Sequence, residues 1–134
     1  SKKLTIINDS KATTFSSSVS LLKSLTNVHW IVGGQAKKGD KLLLSKKDCK
    51  NIKAYIFGTN KNFFISKLKK LMRYEYFLDL KSLVQKLSLE IKVDKNRIHK
   101  TILFSPSAAS FDNFKNFEER GKYFNDLIKK YINA

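Results

Sequence analysis

Three short stretches of this 134-residue chain concentrate side chains able to hold an anion. In the first, Asn8-Asp9-Ser10-Lys11-Ala12-Thr13, a carboxylate, two hydroxyls and an ammonium crowd into one turn. Asp9 could accept from sugar hydroxyls, and Lys11 could meet a phosphate or a carboxylate. The same residues also suit a plain capping turn, with Ser10 or Thr13 satisfying the first N–H groups of a helix. The second, Gly33-Gly34-Gln35-Ala36-Lys37-Lys38-Gly39, holds three of the five glycines. Paired glycines permit close backbone approach or positive φ, and place Lys37 to reach an anion; the competing reading is a flexible turn. In the third, Ser105-Pro106-Ser107-Ala108-Ala109-Ser110, small residues expose backbone N–H groups that can hold a carboxylate, and Ser110 adds a hydroxyl. Phe111, Phe114 and Phe117 follow at every third position, a spacing that predicts core packing for part of the stripe. Glu118, Glu119 and Arg120 read as a solvated first helical turn, with Asp112 available to pair with Arg120.

Much other chemistry is excluded. The glycine stretch is neither GxGxxG nor GxxxxGK[ST], and no serine sits in GxSxG. The lone Cys49 excludes an internal disulfide and has no histidine at a catalytic spacing, and two histidines with one cysteine do not make a zinc cluster. His29 reads as a core or edge histidine within a strand, and His99 as exposed. No apolar run approaches the ~18 residues of a membrane span, and the opening SKKLTIINDS lacks the apolar stretch of a signal peptide. A cytoplasmic location is the expectation. Ser1 in place of an initiating Met fits a processed protein or an excised domain. The net charge of +16 raises the odds of a polyanionic partner. Only three of the 27 basic residues are Arg, however, and the Lys are spread evenly, which favours a lysine-rich surface over nucleic-acid readout.

The elements that must position these stretches follow from periodicity. The length argues for one domain, and short apolar runs alternating with amphipathic segments predict an α/β fold. It is expected to be a Rossmann-like three-layer domain, with a mostly parallel, possibly mixed, five- to six-stranded sheet flanked by helices. Strands are predicted at Leu4–Asn8, Val28–Val32, Ile52–Phe57, Tyr74–Leu78 and Thr101–Ser105. Helices are predicted over Thr14–Leu25, from an Asn60 cap to about Met72, after an Asp79 cap, and from about Asn116 to Tyr131. Lys41–Asp48 reads as either a short helix or none, and Leu89–Val93 as a helix extension or a minor strand. Ligands of parallel sheets bind beyond the C-terminal strand ends, so the three stretches, each following a strand, should line one rim.

Taken together, NDSKATT, WIVGGQAKKGD and LFSPSAASFDNFKNFEERGKYF resemble the C-terminal domain of the Mur ligase family, in its D-glutamate-adding branch. The resemblance spans nearly the whole chain and implies that residues 1–134 are one domain of a three-domain enzyme. The UDP-binding and central ATP-binding domains, with the GKT loop, the Mg²⁺ ligands and the carbamylated lysine, would lie elsewhere. In that family ATP phosphorylates the carboxylate of UDP-N-acetylmuramoyl-L-alanine. The amine of D-glutamate attacks the acyl phosphate, and a tetrahedral intermediate collapses to an amide, ADP and phosphate. Carried onto this chain, Asp9 orients the ribose side of ATP, and Lys11 is the catalytic lysine near the phosphates. Thr13 and Lys37 contact the glutamate carboxylates, Ser110 and Phe117 complete that pocket, and Asn116 supports it. The resemblance further implies an isolated domain that is inactive, binds no metal of its own and works with the rest of the enzyme. The family's loop often reads Asp-Gly before its lysine where this chain has Gln35-Ala36, and the 40–50 region is abbreviated. Two alternatives are a general anion- or nucleotide-binding α/β module and a basic nucleic-acid-binding domain. The latter requires Phe111, Phe114 and Phe117 to be exposed on a positive face.

Overall fold

The computed structural model describes residues 3–96, 98–110 and 114–133. Nine elements run in the order β1 (Leu4–Asn8), α1 (Phe15–Ser24), β2 (Val28–Gly33), β3 (Ile52–Phe57), α2 (Lys61–Leu68), β4 (Arg73–Phe77), α3 (Leu80–Val93), β5 (Lys100–Phe104) and α4 (Phe117–Tyr131) among the described residues. The strands form one sheet in the order β1-β5-β2-β3-β4, with every neighbouring pair parallel. The alternating directions of strand side chains split the interior into two layers. On one face Trp30, Val32, Ala54, Ile56 and Leu103 meet Phe15 and Leu22 of α1 and Phe64 and Leu68 of α2. On the other, Ile31, Tyr55, Phe57, Ile102 and Phe104 meet Leu83, Val84 and Leu87 of α3 and Phe124 and Ile128 of α4. Covering both faces is why β2, β3 and β5 are nearly continuous apolar runs.

This order places the site. The chain crosses from β1 to β2 through α1, leaving a gap that β5 later fills on its return from the β4 edge through α3. The end of β5 therefore lies between two strands whose connections leave on the opposite face. Such a reversal opens a crevice beyond the carboxyl ends of the strands.

The predicted strands and helices are all present, with local corrections. The sheet is wholly parallel and five-stranded, and the one antiparallel contact, Gln35 with Ala109, is an isolated bridge among the described residues. Leu89–Val93 extends α3. Residues 41–45 form no helix: Leu42 is half-buried, Leu43 is exposed and only Leu44 enters the core, so the leucines share no helical face. Helix α2 stops at Leu68, where the amides of Leu71 and Met72 both turn back onto the Leu68 carbonyl and steer the chain into β4. Its predicted cap, Asn60, makes no capping bond. Thr14, not Ser10 or Thr13, caps α1, and Asp40 accepts the Phe15 amide at 2.8 Å. A carboxylate there also complements the positive end of the helix.

Candidate functional site

The three sequence stretches converge on the rim around β5, tied together by their backbones. The amide of Gly33 donates to the Pro106 carbonyl at 3.0 Å, and Gln35 and Ala109 exchange amide-to-carbonyl bonds of 2.9 and 3.1 Å. The two glycines make this approach possible. Gly34 has φ +127°, and a Cβ there would lie 2.8 Å from the Ala109 carbonyl oxygen; one on Gly33 would lie 2.0 Å from that of Phe57. Asn60 lends its side chain to the same loop, its Oδ1 accepting the Ala36 amide at 2.7 Å. The glycine stretch is thus an anchored loop, and its two lysines, Lys37 and Lys38, project from it exposed.

The first and third stretches are joined by Arg120, which is fully buried in the first turns of α4. Its Nη2 donates to the Ser10 carbonyl at 2.6 Å, Nε to Ser10 Oγ at 3.1 Å, and Nη1 to the Ala108 carbonyl at 2.8 Å. Ser10 Oγ in turn donates to the Phe117 carbonyl at 2.7 Å. A planar fork with several fixed donors suits such a junction, where a lysine would not. The solvated-turn reading of Arg120 is therefore corrected; its suggested partner Asp112, like Phe111, lies outside the described residues. The sequence did carry a signal, because Arg120, Phe124 and Ile128 recur every fourth residue and share the buried face of α4.

Asp9 is largely buried, and its Oδ2 accepts from Ser105 Oγ at 2.8 Å. Ser105 Oγ lies 2.5 Å from Ser18 Oγ, which lies 2.6 Å from Ser107 Oγ. Because Ser105 spends its one O–H on the carboxylate, it accepts from Ser18, and Ser18 then accepts from Ser107. The proton of Ser107 Oγ is shared between Ser18 Oγ and the Ser105 carbonyl, 3.2 Å away, and from Ser18 the hydroxyls run in one direction to Asp9. Trp30 Nε1 fixes the Ser105 carbonyl at 2.8 Å, and Ser107 adopts φ +60°, a strained backbone for serine. Neither Ser18 nor this chain was visible in the spacing of residues.

The remaining predicted residues occupy the same rim. Lys11 and Lys37 are exposed, and neither ammonium has a hydrogen bond or ion pair among the described residues, so both are free for an outside anion. Thr13 is half-buried and Ser110 buried. Asn116 is the N-cap of α4, accepting the Glu119 amide at 2.8 Å. Neither described member of the aromatic stripe is core: Phe117 is 40 % exposed, and Phe114 is half-buried with its ring 5.6 Å from that of Tyr123. Both precede the buried face of α4, which begins at Arg120 and Gly121.

Away from the rim, Cys49 is buried, and burial pushes its thiol up to about 11. His29 is half-buried with Nδ1 3.0 Å from Tyr55 Oη, and His99 is exposed beside Thr5. Among the described residues, no group of three or more His, Cys, Asp or Glu could hold a metal ion, and no helix is long and apolar enough to cross a membrane.

No family model matches the chain. Individual relatives do. It is 39% identical over 126 residues to the UDP-N-acetylmuramoylalanine--D-glutamate ligase of Rickettsia felis, covering 92% of this chain and 27% of that protein. The same-named protein of a Wolbachia from Brugia malayi is 38% identical over 124 residues, covering 92% of this chain and 24% of that protein. That of Prochlorococcus marinus is 35% identical over 130 residues, covering 96% and 28%. The chain thus spans about a quarter of the length of the curated relatives it matches. By this similarity, which covers 92–96% of its length, the chain belongs to the Mur ligase family.

Proposed function

We propose that this chain is the C-terminal domain of an ATP-dependent amide ligase that adds D-glutamate to UDP-N-acetylmuramoyl-L-alanine in the bacterial cytoplasm, a step of peptidoglycan synthesis. The observation that carries the reading is the rim itself. Two unpaired ammoniums, Lys11 and Lys37, stand on loops locked together by backbone bonds and by Arg120, beside Thr13 and Ser110.

An amino acid with two carboxylates needs fixed positive charge and hydroxyl donors. Lys37 and Thr13 supply these toward the glutamate carboxylates, with Ser110 behind them and Phe117 as an apolar wall. Asn116 sets the start of α4 and hence the position of Phe117. Asp9, oriented by Ser105, accepts from the ribose hydroxyls of ATP. Lys11 stabilises charge that passes from the phosphates to the tetrahedral intermediate. Mg²⁺ would neutralise the phosphates; its ligands belong to the central domain. Closure of this rim over that domain excludes water from the acyl phosphate and holds the amine for attack. Half of a cleft cannot do this alone, so the isolated chain is expected to be inactive.

The nucleic-acid alternative gains little. Phe117 is exposed, but Phe114 is half-buried beside the Tyr123 ring, and the exposed carboxylates Glu118 and Glu119 follow Phe117 directly. An isotope-edited NMR titration of the chain tests the reading. D-glutamate should shift Thr13, Lys37, Ser110 and Phe117 more than L-glutamate does, and ATP should shift Asp9 and Lys11. Equal responses to both enantiomers, or shifts remote from the rim, would overturn it.

A further inference from the structure

At the opposite end of the sheet, where β3 and β4 begin, lies a second site of different character. A cleft of about 850 Å³ opens between the turn entering β3 and the turn joining α2 to β4. Lys46, Lys47, Lys50, Lys69, Lys70 and Arg73 surround it, all exposed. None of the six has an ion pair among the described residues. The neighbouring acids are otherwise engaged. Glu75 takes Lys53 and Lys86, and Asp48 accepts the Ser45 amide. The lining between the cations is apolar, with Ile52, Leu71, Met72 and the 40 % exposed ring of Tyr74.

We propose that this cleft binds an acidic polypeptide segment carrying an apolar side chain, the carboxylates meeting the six cations and the apolar group seating between Met72 and Tyr74. Charge complementarity selects an anion and rules against a second copy of a chain that carries +16. The apolar lining gives a bare polyphosphate nothing to cover. Among the described residues Tyr74 is the one aromatic lining the cleft, where a single-stranded nucleic acid would require a succession of stacking rings. The concave shape suits a chain segment better than a flat bilayer. The inference does not rest on the ligase reading, because the rim lies at the other ends of the strands.

Fluorescence anisotropy on the 134-residue chain tests it, with a labelled synthetic peptide in which glutamates flank a Leu-Phe pair. The double substitution Lys69→Glu/Lys70→Glu should weaken binding by about tenfold or more. Lys122→Glu/Lys129→Glu, the same charge change on exposed positions of α4, should alter it by less than about twofold at physiological salt. Replacing Leu-Phe with Ser-Asn in the peptide should cost about tenfold. Four results would each overturn the proposal. They are no binding of the peptide, equal loss in both double variants, equal binding of the Ser-Asn peptide, and tighter binding of a short single-stranded oligonucleotide that depends on the same lysines. Unchanged thermal unfolding of both variants confirms that the comparison is between folded proteins.

Discussion

Replacing Arg120 by methionine tests the claim that one guanidinium holds the rim together. Methionine keeps much of the volume and apolar contact of the side chain but donates nothing. The carbonyls of Ser10 and Ala108, now accepting at 2.6 and 2.8 Å, would lose their donor inside the protein, and Ser10 Oγ would lose its bond from Nε. Each unsatisfied buried carbonyl costs about 1–3 kcal/mol, so the two together predict a loss near 4 kcal/mol. That is a large part of the ~5–15 kcal/mol by which domains are stable. With a urea slope of about 2 kcal/mol/M, the unfolding midpoint should fall by roughly 2 M. Arg120→Lys should recover only part of this, since an ammonium cannot span both carbonyls. Native-state hydrogen exchange adds a local readout. The Gln35 and Ala109 amides, which close the bridge beside Gly34, should lose protection before the strand amides do. A midpoint shift under about 0.5 M, with protection unchanged at both amides, would refute the clamp.

Three further outcomes follow from particular contacts. Gly34→Ala forces an L side chain to φ +127° and a Cβ to 2.8 Å from the Ala109 oxygen, and should cost about 2–4 kcal/mol. Gly39→Ala, at φ +82° in open space, should cost about 1 kcal/mol, and calorimetric unfolding of the pair separates steric from conformational cost. Burial holds the His29 imidazole below its ordinary 6.5, so the unfolded chain takes up that proton first. The contribution is full above the ordinary value and is lost as pH falls through the lower folded one. Urea midpoints between pH 7 and 5 should therefore fall more steeply for the wild type than for His29→Gln. With the Cys49 thiol raised to about 11, its reaction with a disulfide reagent at pH 8 should be about two orders of magnitude slower in the native chain than in urea. Comparable rates would show the thiol to be accessible.

Periodicity located the scaffold because each element owes its stability to a face the sequence displays. Leu80, Leu83, Val84 and Leu87 mark one side of α3, and all four are buried. The strand ends followed for the same reason, and with them the convergence of three loops at β5. What periodicity could not assign is what a polar residue bonds. Asn60 has the chemistry of a helix cap and stands at a helix start, yet its oxygen holds Ala36 across 24 positions of sequence. Arg120 stands in a run of three charged residues, and only its register with Phe124 and Ile128 separates it from Glu118 and Glu119. Ser18 reads as one of several serines in a polar helix, and its role emerges when Ser105 arrives from 87 residues away. Long-range partners of short polar side chains leave no local trace. The exposure of Phe117 has a comparable cause: it opens α4 before the helix settles onto the sheet.

The most direct test of the central claim is steady-state kinetics of a full ligase carrying this domain, with Lys37→Ala introduced. If Lys37 holds a glutamate carboxylate, the KM for D-glutamate rises by at least about tenfold while the KM for ATP stays within about twofold. An unchanged KM for D-glutamate, or an equal rise in both, would contradict the account.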